Sequence, residues 1–283
     1  MGARMRSSCH AVSDRGASRR AASPYPPHTR TLMMHPRNRP ALLLGCIGSL
    51  ALLLGLGSVR AEETLRMAIS DWPPYVETTA PSQGLAIEIV RTALDRIDYD
   101  MALVDEPWSR TLEGASLGVY DALAAAWYSA QRAGTFLFSQ PYLINEIKFI
   151  KRKGNPFQFR TMDDLRGQVV GIVKDYAYDD RFDQARGLTR FVNNHPLENL
   201  LMLLQGEVDV TLDDERVLRY EISRYMANSR DQFEILPEPF ARRGLCFAMN
   251  RQHPKSREII KAFDAEIREM QADGTFAQIL AKY

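Results

Sequence analysis

Short apolar runs alternate with stretches of helical period through the chain beyond residue 62. Leu65 to Ile69 reads as a strand, and Leu85 to Ile97 as a helix with Ala86, Ile89, Val90, Ala93, Leu94 and Ile97 on one face. Met101 to Val104 predicts a second strand, Trp108 to Leu117 a second helix, and Asp121 to Ala126 a buried strand of small residues. These elements make one βαβαβ half. The pattern restarts after a basic strand, Lys148 to Lys153, and a Gly154-Asn155-Pro156 break. A strand at Val169 to Val173 and a short helix at Tyr178 to Arg186 come first. A strand at Phe191-Val192 follows, then a leucine-rich helix from Leu197 to Gln205 closed by Gly206. Val208 to Leu212 and Glu215 to Met226 add a further strand and helix. Past Pro237 and Pro239, a strand at Leu245 to Met249 precedes a helix from Ser256 to Ala272. That helix carries Ile259, Ile260, Phe263, Ile267 and Met270 on one stripe and ends at Gly274. The alternation predicts α/β architecture in two lobes.

Residues 41–59 break this pattern. They carry no charge, follow Arg37 and Arg39, and end at Val59-Arg60-Ala61, a small-x-small sequence. The segment reads as a secretory signal peptide cut after Ala61, which places the mature chain in the periplasm. Residues 1–32 are rich in Arg, Ser and Pro, as expected of a stretch ahead of the true start at Met33 or Met34. Two other readings stay open. The run is long enough for a retained anchor, and Cys46 follows Leu43-Leu44-Gly45 as a lipid-modified cysteine would, although the apolar stretch before it is short.

Setting residues 1–61 aside changes the electrostatics. They hold 9 of the 36 Lys and Arg but 1 of the 35 Asp and Glu, leaving 27 basic against 34 acidic groups and a net charge of about −7. Such a balance argues against nucleic acid as a partner. Of three cysteines only Cys246 remains, so the mature chain has no internal disulfide.

The densest candidate chemistry lies between Asp121 and Tyr142. A strand of alanines leads into Trp127-Tyr128-Ser129-Ala130-Gln131-Arg132, followed by Phe138-Ser139-Gln140-Pro141-Tyr142. A guanidinium just past a strand end, beside a hydroxyl and two aromatic rings, offers a planar fork of donors to a carboxylate. This run, with Asp273-Gly274-Thr275-Phe276 near the C-terminus, resembles family 3 solute-binding proteins, the amino-acid-type receptors of ABC importers. The resemblance spans Leu65 to Tyr283.

It implies a type II two-lobe periplasmic binding fold whose hinge consists of two crossing strands. Lobe 1 would comprise 62–147 and 245–283, and lobe 2 would comprise 148–244, with crossings near Ile147 to Lys151 and Arg243 to Phe247. It implies a ligand carboxylate on Ser129 and Arg132. An α-ammonium would meet Asp214, eight residues after Gly206 in Gly206-Glu207-Val208-Asp209; a helix N-cap role for Asp214 is compatible with this. Trp72 and Tyr75, in Asp71-Trp72-Pro73-Pro74-Tyr75, would form an aromatic wall that Trp127 and Tyr128 complete. Trp108, opening a helix, reads as core. Where the family carries Gly-Thr-Thr at a helix N-terminus, this chain has Asp175-Tyr176-Ala177, putting Tyr176 at the ligand and an acid where a carboxylate would be repelled. The partners implied are a small amino-acid-like solute and an inner-membrane ABC permease, with the receptor a monomer.

Enzyme chemistry finds little support. Gly114-Ala115-Ser116-Leu117-Gly118 matches Gly-x-Ser-x-Gly, but it follows a helix and precedes a strand, the reverse of a nucleophile elbow. The mature histidines, His195 and His253, are each followed by Pro, and no metal, nucleotide or cofactor motif is present. Two alternatives remain on the same fold. One is a cyclohexadienyl-dehydratase-like enzyme using Asp175 or Asp214 as acid; the other is a sensor feeding a membrane receptor.

Overall fold

The computed structural model describes residues 63–283, so the tail and the apolar run read as a signal peptide lie outside the described residues. Among the described residues no helix is long and apolar enough to cross a membrane. The first elements are β1 (Glu63–Ile69), α1 (Leu85–Asp95), β2 (Tyr99–Asp105), α2 (Trp108–Ser116), β3 (Ala122–Trp127), α3 (Ala130–Ala133), β4 (Phe136–Phe138) and β5 (Leu143–Arg152). The middle of the chain supplies β6 (Val169–Val173), α4 (Asp180–Asp183), β7 (Thr189–Asn193), α5 (Pro196–Gln205), β8 (Val210–Asp214), α6 (Glu215–Tyr225) and β9 (Phe233–Ile235). The chain closes with β10 (Ala241–Asn250), α7 (Ser256–Ala272) and α8 (Thr275–Leu280).

The strands follow the order β2-β1-β3-β10-β5-β8-β6-β7, with β4 beside β10 and β9 beside β5. The runs β2-β1-β3 and β8-β6-β7 are parallel, as βαβ connections require. Between them β5 and β10 run antiparallel and are shared. β5 pairs with β10 over Leu143–Ile147 and with β8 over Ile147–Lys151; β10 in turn pairs with β3 from Leu245 onward. The architecture is a two-lobe α/β binding fold with two crossing strands.

Apolar faces hold each lobe, and one buried cluster runs through both. In the first, Leu65, Met67, Phe247 and Met249 meet the buried stripes of α1 and α7, while Ala115 of α2 packs with Leu123, Ala126 and Phe136 on the other side. In the second, Ile150 meets Leu200 and Leu203 of α5 and Leu218 and Ile222 of α6, and Phe149 heads an aromatic group with Phe157, Phe182 and Phe240.

Several elements differ from expectation, and β5 and β10 start at Leu143 and Ala241, ahead of the expected Lys148 and Leu245. The helix expected over Tyr178 to Arg186 shrinks to α4, because the Arg190 guanidinium takes the carbonyls of Phe182 and Ala185. β8 starts two residues late, since the Val208 N–H is spent on Met202, and it extends through Asp213 and Asp214. β4 and β9, three residues each, are too short for periodicity to reveal.

The loop after β1 is fixed by α1. The first N–H groups of that helix, on Leu85 and Ala86, donate to the Pro74 and Tyr75 carbonyls at 2.9 and 2.8 Å. This close approach requires Gly84, whose φ is 98° and where a Cβ would sit 2.6 Å from the Tyr75 oxygen. Gly84→Ala is expected to lower the unfolding free energy by about 2 kcal/mol, read from urea denaturation.

Candidate functional site

Arg132 is the central cation. Ser129 caps α3 by accepting the Arg132 N–H at 3.2 Å, and this short turn swings the side chain back under the strand end. Only 8% of Arg132 is exposed. Its Nη1 donates to the Trp127 carbonyl at 2.7 Å and its Nη2 to the Asp175 carbonyl, in the other lobe, at 2.5 Å. The guanidinium also lies over the Trp108 ring, 5.2 Å from its centroid. Among the described residues no carboxylate pairs with it within 4.0 Å. Burial, reinforced by the like charge of Arg243, pulls it down to about 10. A buried guanidinium held only by main-chain carbonyls retains strong attraction for an anion.

Asp175 meets it through the backbone. Its φ of 60° is a left-handed conformation unusual outside glycine, and it turns the carbonyl toward lobe 1, where Trp108 Nε1 also donates at 3.1 Å. The Asp175 carbonyl faces the guanidinium, and the Asp175 carboxylate, with that of Asp183, also acts on Arg132 as a nearby negative charge.

Four rings and Arg132 enclose a cavity of about 40 Å³. Trp72 stands edge-on to Trp127 at 5.5 Å, Trp127 edge-on to Tyr176 at 5.3 Å, and Trp108 edge-on to Tyr176 at 6.1 Å, over a floor that includes Ala124 and Ala125. A benzene-sized guest needs about 150 Å³, so a solute the size of an amino acid enters only as the lobes part or the rings turn. On its outer side Arg132 also borders a cleft of about 580 Å³ between α2, α3 and the segment from Asp175 to Gln184.

Two adjacent acids end β8, and they differ in their bonding. Asp214 accepts five donors: Tyr75 Oη at 3.0 Å, Asn145 Nδ2 and the Glu146 N–H at 3.1 Å, and the Arg216 and Val217 N–H groups at 2.9 and 3.3 Å. Asp213 uses Oδ1 for Trp72 Nε1, at 3.1 Å, and for the Asp214 N–H, at 2.7 Å. Among the described residues its Oδ2 has no hydrogen-bond partner, and neither carboxylate oxygen of the fully buried Glu221 has one, although His195 Nε2 lies 4.0 Å from Glu221 Oε1. Burial pushes Asp213 up to about 8 and Glu221 up to about 7.

The residues singled out in the sequence separate into three groups. Trp72, Trp127, Tyr176 and Arg132 line one cavity. Tyr75 and Asp214 bond to each other behind it, and Ser129 holds the turn. Tyr128 is half exposed, stacks edge-on against Phe138 and faces away from the box it was expected to complete, since alternation beyond β3 sends it opposite Trp127. Trp108, expected in the core, packs partly buried against the cluster of Ala115 and Leu123 and is a cavity wall as well. Asp213 went unnoticed; a doubled Asp at a strand end was the available signal.

Further bonds join the lobes at the rim. Leu197 N–H donates to His195 Nδ1, which leaves the ring proton on Nε2 to donate to the Asp71 carbonyl at 3.1 Å. Tyr220 Oη donates to Glu77 at 2.7 Å.

Residues 65–283 match the sequence profile of bacterial extracellular solute-binding proteins, family 3. The L-cystine-binding protein TcyJ of Escherichia coli (strain K12) is 25% identical over 234 residues, covering 81% of this chain and 85% of that protein. Among solved structures, a histidine kinase sensor domain with similarity to periplasmic binding proteins superposes with a TM-score of 0.69 at 19% identity, over 79% of this chain and 96% of that one. An ancestral arginine-binding protein bound to arginine gives 0.68 at 19% identity, over 79% and 99%. These two likenesses establish the fold.

The acid pair makes stability depend on pH. Unfolded carboxyls titrate near 4, so between there and about 8 the folded chain holds more protons, and stability falls as pH rises. His195, lowered by burial, acts oppositely on the acid side of its unfolded value. Asp213→Asn is therefore expected to raise the melting temperature relative to the native chain more at pH 8 than at pH 6, measured by scanning calorimetry.

Proposed function

Because the chain belongs to the bacterial extracellular solute-binding proteins, family 3, we propose that it is a periplasmic receptor of an ABC importer. It closes two lobes around a small amino-acid-like or carboxylated solute and delivers it to an inner-membrane permease. The observation that carries this reading is Arg132, a buried guanidinium between the lobes that has no carboxylate partner among the described residues. A solute carboxylate that takes over Nη1 and Nη2 gains a charge-assisted fork in a low-dielectric, ring-lined site. Cystine and arginine, named for the relatives above, both carry such a group.

Closure is a population shift, so the solute must touch both lobes. Lobe 1 comprises residues 62–147 and 245–283, and lobe 2 comprises 148–244, with β5 and β10 as the hinge. The receptor works as a monomer, exported by a signal peptide cut after Ala61. Trp72, Trp127 and Tyr176 supply apolar walls, and Tyr75 and Asp214 brace the loop that carries Trp72. The likeness to a sensor domain is one of fold, and the importer role rests on the family.

A thermal-shift screen of amino acids and small carboxylic acids is expected to find stabilising solutes, by several degrees at saturating concentration. For the best of them, Arg132→Ala is expected to weaken binding about 100-fold or more by calorimetry. Unchanged affinity in that variant would remove the carboxylate reading.

A further inference from the structure

All the charge that lines the cavity is positive. Arg132 supplies it, and the remaining lining consists of four rings, short aliphatic side chains and the hydroxyls of Ser70, Thr111 and Tyr176. Of these hydroxyls, that of Thr111 is bonded to the Glu106 carbonyl at 3.2 Å. Neutral hydroxyls hold an ammonium far more weakly than a carboxylate does.

The groups that could accept from a cation are engaged elsewhere. Asp214 already receives five donors, and a carboxylate offers about four lone-pair sites. Asp213 lies behind the Trp72 ring, whose N–H it accepts at 3.1 Å. At the end of β3 the Ala124 carbonyl accepts from Tyr142 Oη at 2.9 Å, and the Trp127 carbonyl from Arg132 at 2.7 Å. Asp175 and Asp183, the acids whose charge reaches Arg132, border the outer cleft and not the cavity.

Ring faces are the other kind of partner for a cation. Trp108 turns one face to Arg132, and Trp72 has one covered by Tyr75, stacked at 4.7 Å. The indole N–H groups of Trp72, Trp108 and Trp127 only donate, and each is spent within the protein, on Asp213, the Asp175 carbonyl and Asn145. A second positive charge would therefore enter a low-dielectric space beside a buried guanidinium, with nothing of opposite sign among the lining residues.

Resting on the carboxylate reading above, we propose that the solute is a monocarboxylate with an uncharged, apolar body and no ammonium, held by Arg132 at its carboxylate and by Trp72, Trp127, Trp108 and Tyr176 around that body. Aliphatic, aryl-substituted and 2-hydroxy acids fall in this class. One carboxylate neutralises Arg132, and the apolar remainder gains by leaving water for the rings.

The test titrates the mature chain by calorimetry with probe sets that differ mainly in charge. Glycine betaine is set against 3,3-dimethylbutanoate, which has the same shape without the cation. L-leucine is set against 2-hydroxy-4-methylpentanoate and 4-methylpentanoate, and L-phenylalanine against 3-phenyllactate and 3-phenylpropionate. In every set that binds, the amine-free acid is expected to bind about tenfold or more tightly than the cation-bearing member, with the hydroxy acid within about threefold of the amine-free one. A smaller or reversed preference in any set overturns the proposal alone and leaves the carboxylate reading intact. A hydroxy acid as weak as its amino acid shifts the penalty from charge to size and overturns it too. If no probe binds, or if Arg132→Ala leaves the affinity for the amine-free acids unchanged, the carboxylate reading falls as well.

Discussion

The Asp214 carboxylate ties the molecule together. It terminates β8, caps α6, accepts two donors from the hinge strand β5 and one from the Tyr75 phenol of the opposite lobe. The bond network continues outward, because Asn145 also accepts from Trp127 Nε1 at 2.8 Å, so the wall of the cavity and the hinge share one side-chain chain. In a buried setting such connected bonds are stronger than the same bonds in water, and losing any one strands its neighbours. Position of the rings, orientation of the hinge and start of α6 therefore change together.

Around that brace the cleft has an uneven electrostatic design. A guanidinium satisfied by carbonyls lines the cavity, and a pair of acids with unsatisfied oxygens lies behind the Trp72 ring that forms one of its walls. A cavity so shaped discourages water and leaves charge as the means of recognition. The rim bonds, His195 to Asp71 and Tyr220 to Glu77, add lobe contacts that no solute has to supply. The solute thus adjusts an equilibrium to which the protein itself contributes.

Most of the fold was legible because its helices have strong apolar stripes and clear stops; α7 begins and ends where its pattern and Gly274 predicted. The shift of β8 toward Asp214 was not, because it depends on Val208 and Asp209 bonding to Met202 and Val169 across the lobe. At the site, Trp72 and Arg132 were readable from motif spacing. The wall formed by Trp108 was hidden, since its partner is the carbonyl of Asp175, a group every residue owns and no sequence advertises. Asp213 was masked by its neighbour: two identical side chains on opposite faces of a strand look alike until their donors are counted.

The placement of β10 has a consequence for synthesis. This strand sits between β3 and β5, yet it is among the last elements to leave the ribosome, after every residue of the middle lobe. A chain growing from its N-terminus can assemble the contiguous middle portion early, while the first sheet waits with the flank of β3 unclosed. The first sheet is therefore closed by one of the last strands in the chain, and its completion depends on residues 241–250.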